Sequence, residues 1–147
     1  ATMKYQLRET GARLVIGELP LVHADRDSLS QVFGNLLDNA IKYRSGERPL
    51  VIEVSGAPLD DASSRIVVRD NGVGVSEEHR QRVFDVFHRV RSVPDVEGEG
   101  LGLAVARRIV DRNGGRITLS STLGEGCAFE VTLPSGPTDD YLMKRTV

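Results

Sequence analysis

The sequence predicts an α+β domain of two layers, in which a mixed and mostly antiparallel sheet packs against about three helices. Three observations lead to this fold class. Apolar residues recur at helical spacing up to Tyr43, two β-type segments follow at residues 50–55 and 65–70, and a second helical pattern leads into a hairpin. Elements in this order favour a single sheet with one face covered by helices.

Length and composition are those of one globular domain, which we expect to span residues 1–147 with a core at 12–134 and a flexible tail at 135–147. Hydrophobic residues make up 39% of the chain, which is enough for a core of its own. The formal net charge of −2 gives no reason to expect a nucleic acid or a membrane as a partner. The sequence shows no membrane span or signal peptide, and its single cysteine suits a reducing compartment, so we expect a cytoplasmic domain.

A short strand at residues 13–17 precedes the longest predicted helix. Asp25 or Asp27 offers the N-cap of this helix, which runs to about Tyr43 and ends before a turn at residues 45–49. Its predicted buried face consists of Leu29, Val32, Phe33, Leu36, Leu37, Ala40 and Ile41.

The β-type segment at residues 65–70 carries an acid on its apolar face. Side chains alternate along a strand, so Ile66, Val68 and Asp70 point to the same side of the sheet. Because an acid on that side loses contact with water, it needs a partner. We therefore expect Asp70 to be hydrogen-bonded.

The second half of the chain starts with a short charged helix, which Ser76 can cap and which ends near Phe84 and Phe87. A flexible stretch at residues 89–98 separates it from a helix over residues 101–113, which a pair of glycines ends.

The chain then forms an antiparallel hairpin from residues 116–121 and 127–133, in which apolar and polar side chains alternate. Cys127, the only cysteine, continues the apolar side of the second strand. We predict that it is a small core residue.

Four side chains form a stripe beside the apolar face of the long helix: Asn35, Asn39, Lys42 and Tyr43. Neutral amide oxygens can coordinate Mg²⁺ without cancelling its charge, and a nearby lysine supplies a point charge for a phosphate. The alternative is that the two asparagines are ordinary polar residues on a solvated flank.

Asp70 is followed by Gly72 and Gly74 at the end of a predicted strand. A carboxylate can accept a hydrogen bond from an exocyclic amine, and glycines allow a ligand to approach the backbone closely. The alternative is a plain Asp-Asn-Gly turn.

A glycine-rich segment with Gly98, Gly100 and Gly102 leads into the last helix. Backbone N–H groups at the start of a helix attract phosphate. The segment has neither the P-loop spacing nor the Rossmann spacing. Together, the stripe, the acid and this segment predict a site for a nucleoside triphosphate.

The order and spacing of these motifs resemble the catalytic ATP-binding domain of bacterial two-component sensor histidine kinases. The wider superfamily includes gyrase, Hsp90 and MutL, and its Bergerat-type ATP fold is the fold that the resemblance implies. The similar segments are residues 31–43 (the N box), 70–75 (the first glycine box), 84–89 (the F box), 98–103 (the second glycine box) and 124–129 (the last glycine motif). The segment at residues 87–102 resembles that of phytochrome-type and related kinases.

The resemblance implies ATP and Mg²⁺ as cofactors and a role for each matched residue. Asn39 would ligate Mg²⁺, and Asn35 would support the metal or the phosphates. Lys42 would contact a phosphate, Tyr43 would lie along the nucleotide, and Asp70 would bind the adenine amine. The remaining implied nucleotide-binding residues are Gly72, Gly74, Val75, Phe87, Arg89, Gly98, Gly100, Leu101, Gly102 and Leu103.

The resemblance also implies a mobile lid over ATP at residues 89–98, with Arg89 as a candidate phosphate contact. Gly100 and Gly102 would connect the lid to its helix as hinges.

Asn35 separates this chain from the ATPases of the superfamily. Gyrase- and Hsp90-like members carry a water-activating glutamate four residues before the metal-binding asparagine, and an asparagine is a poor base. We therefore expect the domain to hold ATP without hydrolysing it quickly.

The resemblance implies that the phosphoacceptor histidine lies outside this chain. In the family an acid follows that histidine, whereas His23, His79 and His88 are followed by alanine or arginine. The implied partners are a dimerisation and phosphoacceptor helical domain and a response regulator.

Two other functions remain open. One is a degenerate nucleotide-binding domain that acts as a protein docking module, which Glu99 supports because an acid in the second glycine box repels phosphate. The other is an anti-sigma-type serine kinase of the same fold. The last glycine motif also departs from the family, which more often has serine or threonine where Cys127 and Ala128 stand.

Overall fold

A computed structural model describes residues 2–85 and 101–136. The elements in chain order are α1 (Thr2–Glu9), β1 (Arg13–Ile16), α2 (Arg26–Lys42), β2 (Val51–Pro58), β3 (Ser63–Asp70), α3 (Glu77–Arg80), α4 (Gly102–Arg112), β4 (Arg116–Thr122) and β5 (Gly126–Pro134). The predictions that lie outside the described residues concern Phe87, His88, Arg89, Gly98, Glu99 and Gly100, the lid, and the tail beyond residue 136.

The five strands form one sheet in the order β1-β2-β3-β5-β4. β1 runs parallel to β2, and the other neighbouring pairs are antiparallel. β4 and β5 form the predicted hairpin, in which Leu119 lies opposite Phe129. The predicted mixed and mostly antiparallel sheet is confirmed.

Helices α2 and α4 pack against each other and cover one face of the sheet. Asp25, not Asp27, caps α2, because its carboxylate accepts a hydrogen bond from the Ser28 N–H at 2.9 Å. All but one of the side chains predicted for the buried face of α2 are buried. The exception is Leu37, which is half-buried at the edge of the core because it lies on the flank of that face.

Helix α1 has no counterpart in the sequence-based assignment, and its Leu7 packs against the core. Eight residues hold only two helical turns, too short a stretch for an apolar period to stand out. Helix α3 ends at Arg80, earlier than predicted, and turns follow it. Phe84 lies within these turns and packs edge-on against Phe129, with the ring centroids 6.1 Å apart.

None of the helices in the described part of the chain is both long and apolar enough to cross a membrane.

Candidate functional site

Asp70 is the last residue of β3 and lies on the sheet face that the helices cover, with 8% of its surface exposed. Its Oδ1 accepts hydrogen bonds from the N–H groups of Gly72, at 2.9 Å, and Cys127, at 3.3 Å. The expectation that this acid is hydrogen-bonded is confirmed. Burial raises the pKa of Asp70 above its usual value, against the opposing effect of these two hydrogen bonds. The other carboxylate oxygen of Asp70, Oδ2, accepts neither of the two hydrogen bonds from Gly72 and Cys127.

The turn after Asp70 requires glycine for reasons of internal packing. Gly74 has a φ of 71°, and a Cβ at this position would overlap the Thr122 carbonyl. A Cβ on Gly72 would overlap the Tyr43 carbonyl oxygen. The protein's own backbone therefore explains both glycines, whereas the sequence-based argument relied on the approach of a ligand.

The C-terminal end of α2 contacts this turn directly. The Tyr43 carbonyl accepts a hydrogen bond from the Val73 N–H at 2.9 Å, and the half-buried Tyr43 packs against the core. The structure thus brings the end of the predicted N box and the first glycine box together, although 30 residues separate Tyr43 from Val73 along the chain.

Two other members of the stripe on α2 lie one and four residues before Tyr43. Asn39 is half-buried, and the Lys42 ammonium pairs with the Asp38 carboxylate one helical turn away at 3.0 Å. Both partners of this pair are more than a third exposed, so the pair contributes little to stability.

Asn35 joins α2 to the start of α4. Its side-chain N–H donates to the Gly102 carbonyl at 3.1 Å. No side chain caps α4 at Leu101, the residue before its first turn. The structure therefore brings Asn35 to the first residue of α4, a helix whose opening backbone N–H groups have no side-chain cap. Leu101 is 36% exposed, and Leu103 is half-buried.

The β4–β5 hairpin holds Val75. The Ser121 hydroxyl accepts a hydrogen bond from the Val75 N–H at 2.8 Å and donates to the Gly126 carbonyl at 2.7 Å. The Cys127 sulfur lies 3.4 Å from the same hydroxyl. Cys127 is buried as predicted, but its backbone N–H also contacts Asp70, which sequence reasoning missed. The one sequence feature that pointed to this region was the resemblance of residues 124–129 to the last glycine motif of the family.

Burial raises the pKa of the Cys127 thiol to about 11, and the Asp70 carboxylate acts in the same direction. Because only the thiolate is nucleophilic, this pKa lowers the reactive fraction at pH 8 by about 100-fold. We therefore expect iodoacetamide at pH 8 to label the folded protein at least about 100 times more slowly than the urea-unfolded protein. Mass spectrometry measures both rates, and folded and unfolded rates within tenfold of each other would contradict the expectation.

Sequence reasoning also missed Arg48, in the loop between α2 and β2. Its guanidinium donates from Nε to the Asn71 carbonyl at 2.7 Å, and from Nη2 to the carbonyls of Gly72 at 2.8 Å and Gly124 at 2.7 Å. Nothing in the local sequence distinguishes Arg48 from an ordinary charged residue of a surface turn.

Comparison with known proteins identifies the family. Residues 24–137 match the family described as histidine kinase-, DNA gyrase B-, and HSP90-like ATPases. The chain belongs to this family. Its likeness to curated and solved sensor kinases further shows that it is an ATP-binding catalytic domain of the histidine kinase type.

The curated relatives of this histidine kinase domain include phytochromes and other sensor kinases. It is 39% identical over 134 residues to cyanobacterial phytochrome A of Nostoc sp., covering 91% of this chain and 17% of that protein. It is 40% identical over 132 residues to the methanogenesis regulatory histidine kinase FilI of Methanothrix harundinacea, covering 88% of this chain and 14% of that protein. The chain therefore spans a small part of the relatives that it matches.

Solved structures have the same fold as this histidine kinase domain. The mycobacterial sensor histidine kinase MprB matches with a TM-score of 0.81 and 26% identity, over 93% of both chains. Full-length ShkA in complex with AMPPNP matches with a TM-score of 0.76 and 27% identity, over 92% of this chain and 28% of that one. The predicted α+β fold and the resemblance to histidine kinases are confirmed.

Proposed function

We propose that this domain binds Mg·ATP and transfers the γ-phosphoryl group to a histidine on a separate dimerisation and phosphoacceptor domain of a sensor kinase. A response regulator would then accept the phosphoryl group, and the domain would act in the cytoplasm. The contact of Tyr43 with Val73 carries the proposal, because it joins the helix with the amide stripe to the turn that holds Asp70. The ShkA structure, which contains AMPPNP, also supports it.

Asp70 is the proposed adenine-recognition residue. Two backbone N–H groups hold Oδ1, so the carboxylate is oriented before any ligand arrives. Oδ2 would accept a hydrogen bond from the 6-amine of adenine, which a guanine does not offer at that position. Gly72, Gly74 and Val75 would form the backbone around the base.

The phosphates would lie between α2 and the start of α4. Lys42 would turn from Asp38 towards a phosphate, which costs little because the existing ion pair is exposed. The N–H groups from Gly102 onwards would face the phosphates, and Leu101 and Leu103 would flank them. Asn35, which contacts Gly102, would keep the two helices in register.

Asn39 is the proposed protein ligand of Mg²⁺. Within residues 2–85 and 101–136, no group of three histidine, cysteine or acidic side chains is arranged to hold a metal. This suits Mg²⁺ bound with ATP, since it usually takes one or two protein ligands and completes its shell with phosphates and water. When bound, Mg²⁺ would neutralise phosphate charge.

The side chain of Asn35 favours phosphoryl transfer to another domain over rapid hydrolysis of ATP. The side chain donates its N–H to the Gly102 carbonyl and has no basic group with which to activate water. Phosphoryl transfer needs little more than positioning and charge neutralisation once another domain brings the nucleophile.

Two measurements test the proposal. Titration calorimetry with ATP, with and without Mg²⁺, should show binding that Mg²⁺ strengthens. Incubation with radiolabelled ATP and the phosphoacceptor domain of the parent protein should then give a phosphoprotein that is labile in acid and stable in base. No ATP binding would favour the docking module, and an acid-stable product would favour a serine kinase.

A further inference from the structure

Arg48 contacts the turn after Asp70 and the turn between β4 and β5 at once. Its Nε and Nη2 bind the consecutive carbonyls of Asn71 and Gly72, and Nη2 also binds the Gly124 carbonyl. Such charge-assisted bonds are stronger than bonds between neutral groups, and the planar guanidinium fixes their directions relative to one another. A half-buried arginine therefore joins three segments that are far apart in the sequence.

The first of these bonds acts on the peptide unit that holds Asp70. In a planar trans peptide the C=O and the N–H point in opposite directions. The carbonyl of the Asn71–Gly72 peptide accepts from Arg48, while its N–H donates to Oδ1 of Asp70. Arg48 and Asp70 thus bind the two sides of one rigid unit, so the orientation set by Arg48 reaches the carboxylate directly.

The next peptide unit is bound on both sides as well. The Gly72 carbonyl accepts from Arg48, and the N–H of Val73 donates to the Tyr43 carbonyl. The Val73 carbonyl in turn accepts from the Gly124 N–H at 2.7 Å. A turn with two glycines would otherwise sample many backbone conformations.

We propose that Arg48 is a positioning residue for adenine recognition, which holds the turn at residues 71–74 so that the Asp70 carboxylate faces the base in one orientation. The inference rests on the proposed function, because Arg48 acts through Asp70. It adds to that function a residue in the loop between α2 and β2.

Amide hydrogen exchange tests the positioning without nucleotide. Arg48→Met keeps the aliphatic stem and removes the donors, so exchange at Gly72 and Val73 should accelerate about tenfold or more. Exchange at Val68 and Phe129, paired in the middle of the sheet, should not change. In Arg48→Lys, the exchange rates at Gly72 and Val73 should lie between those of Arg48→Met and those of the wild type. Unchanged exchange at Gly72 and Val73 in Arg48→Met would overturn the proposal.

The matched control is Arg44→Met. Arg44 lies four residues earlier, is exposed, and donates to the Ile41 carbonyl at the end of α2 rather than to the turn. We expect wild-type exchange at Gly72 and Val73 in this variant. Equal acceleration in both variants would mean that charge loss in the loop, rather than the bonds of Arg48, loosens the turn, and would overturn the proposal.

A comparison of two nucleotides tests the consequence for recognition. Arg48→Met should weaken ATP binding about tenfold, but it should not change the affinity for purine riboside triphosphate, which lacks the 6-amine. An equal loss for both ligands would indicate a merely structural role and overturn the proposal. If the wild type binds ATP more tightly than purine riboside triphosphate and Arg48→Met keeps that preference, the positioning role of Arg48 is overturned. The role of Asp70 is then unaffected. Equal binding of both ligands by the wild type would overturn the role of Asp70 and this inference together.

Discussion

Asp70→Asn is expected to weaken ATP binding by about 100-fold, or about 2.7 kcal/mol, and to leave the fold intact. The new amide oxygen can still accept from Gly72 and Cys127, whose N–H groups now contact Oδ1. The amide N–H₂ would then face the adenine amine, so that two donors meet and neither is satisfied. Titration calorimetry measures the loss, and an unchanged affinity for ATP would refute the assignment of Asp70.

Asp61→Asn is a matched control, because it makes the same chemical change in the exposed turn between β2 and β3. It should bind ATP as the wild type does. Purine riboside triphosphate supplies a second control, since neither variant should alter the affinity for a base without the amine. A loss in Asp61→Asn as large as the loss in Asp70→Asn would show that the effect is not local.

Unfolding experiments separate loss of the site from loss of the fold. Because burial raises the pKa of Asp70, the native state binds this proton more tightly than the unfolded state does. The contribution of Asp70 to stability is therefore greatest below pH 3.8 and falls as the pH rises through the folded-state pKa. At pH 7 Asp70→Asn should be at least as stable as the wild type in urea. A large loss of stability there would mean that Asp70 is a structural residue.

Asn39→Ala is expected to remove the effect of Mg²⁺ on ATP binding. If the amide oxygen of Asn39 ligates the ion, ATP affinity in Mg²⁺ should fall about tenfold, or about 1.4 kcal/mol, to the level measured in EDTA. The comparison is internal, because each protein is titrated with and without the metal. A Mg²⁺ effect that persists in Asn39→Ala would place the metal on another residue.

Gln31→Ala is the control for this experiment. Gln31 lies two turns before Asn39 on α2 and is exposed, so its loss removes a side-chain amide from the same helix without touching the proposed site. It should show the wild-type response to Mg²⁺. Circular dichroism should give wild-type helicity for both variants, since each change introduces alanine, the best helix former.

Periodic features of the chain were predicted well, because burial along a helix or strand follows directly from side-chain spacing. The buried face of α2 is as predicted except for Leu37, and the alternation in β3 places Asp70 on the covered face as predicted. Short helices were predicted poorly: α1 was missed and α3 was predicted too long. One or two helical turns contain too few residues for a hydrophobic periodicity to be recognised.

The sequence by itself determined the family, the elements that carry the candidate site, and the acid that must be hydrogen-bonded. Only the tertiary structure decided what holds that acid. Arg48 and Gly124 meet although they are 76 residues apart, and Asp70 meets Cys127 across 57 residues. Local patterns report whether a side chain is buried, whereas the partner of a polar group depends on which backbone turns the folded sheet and helices bring within hydrogen-bonding distance.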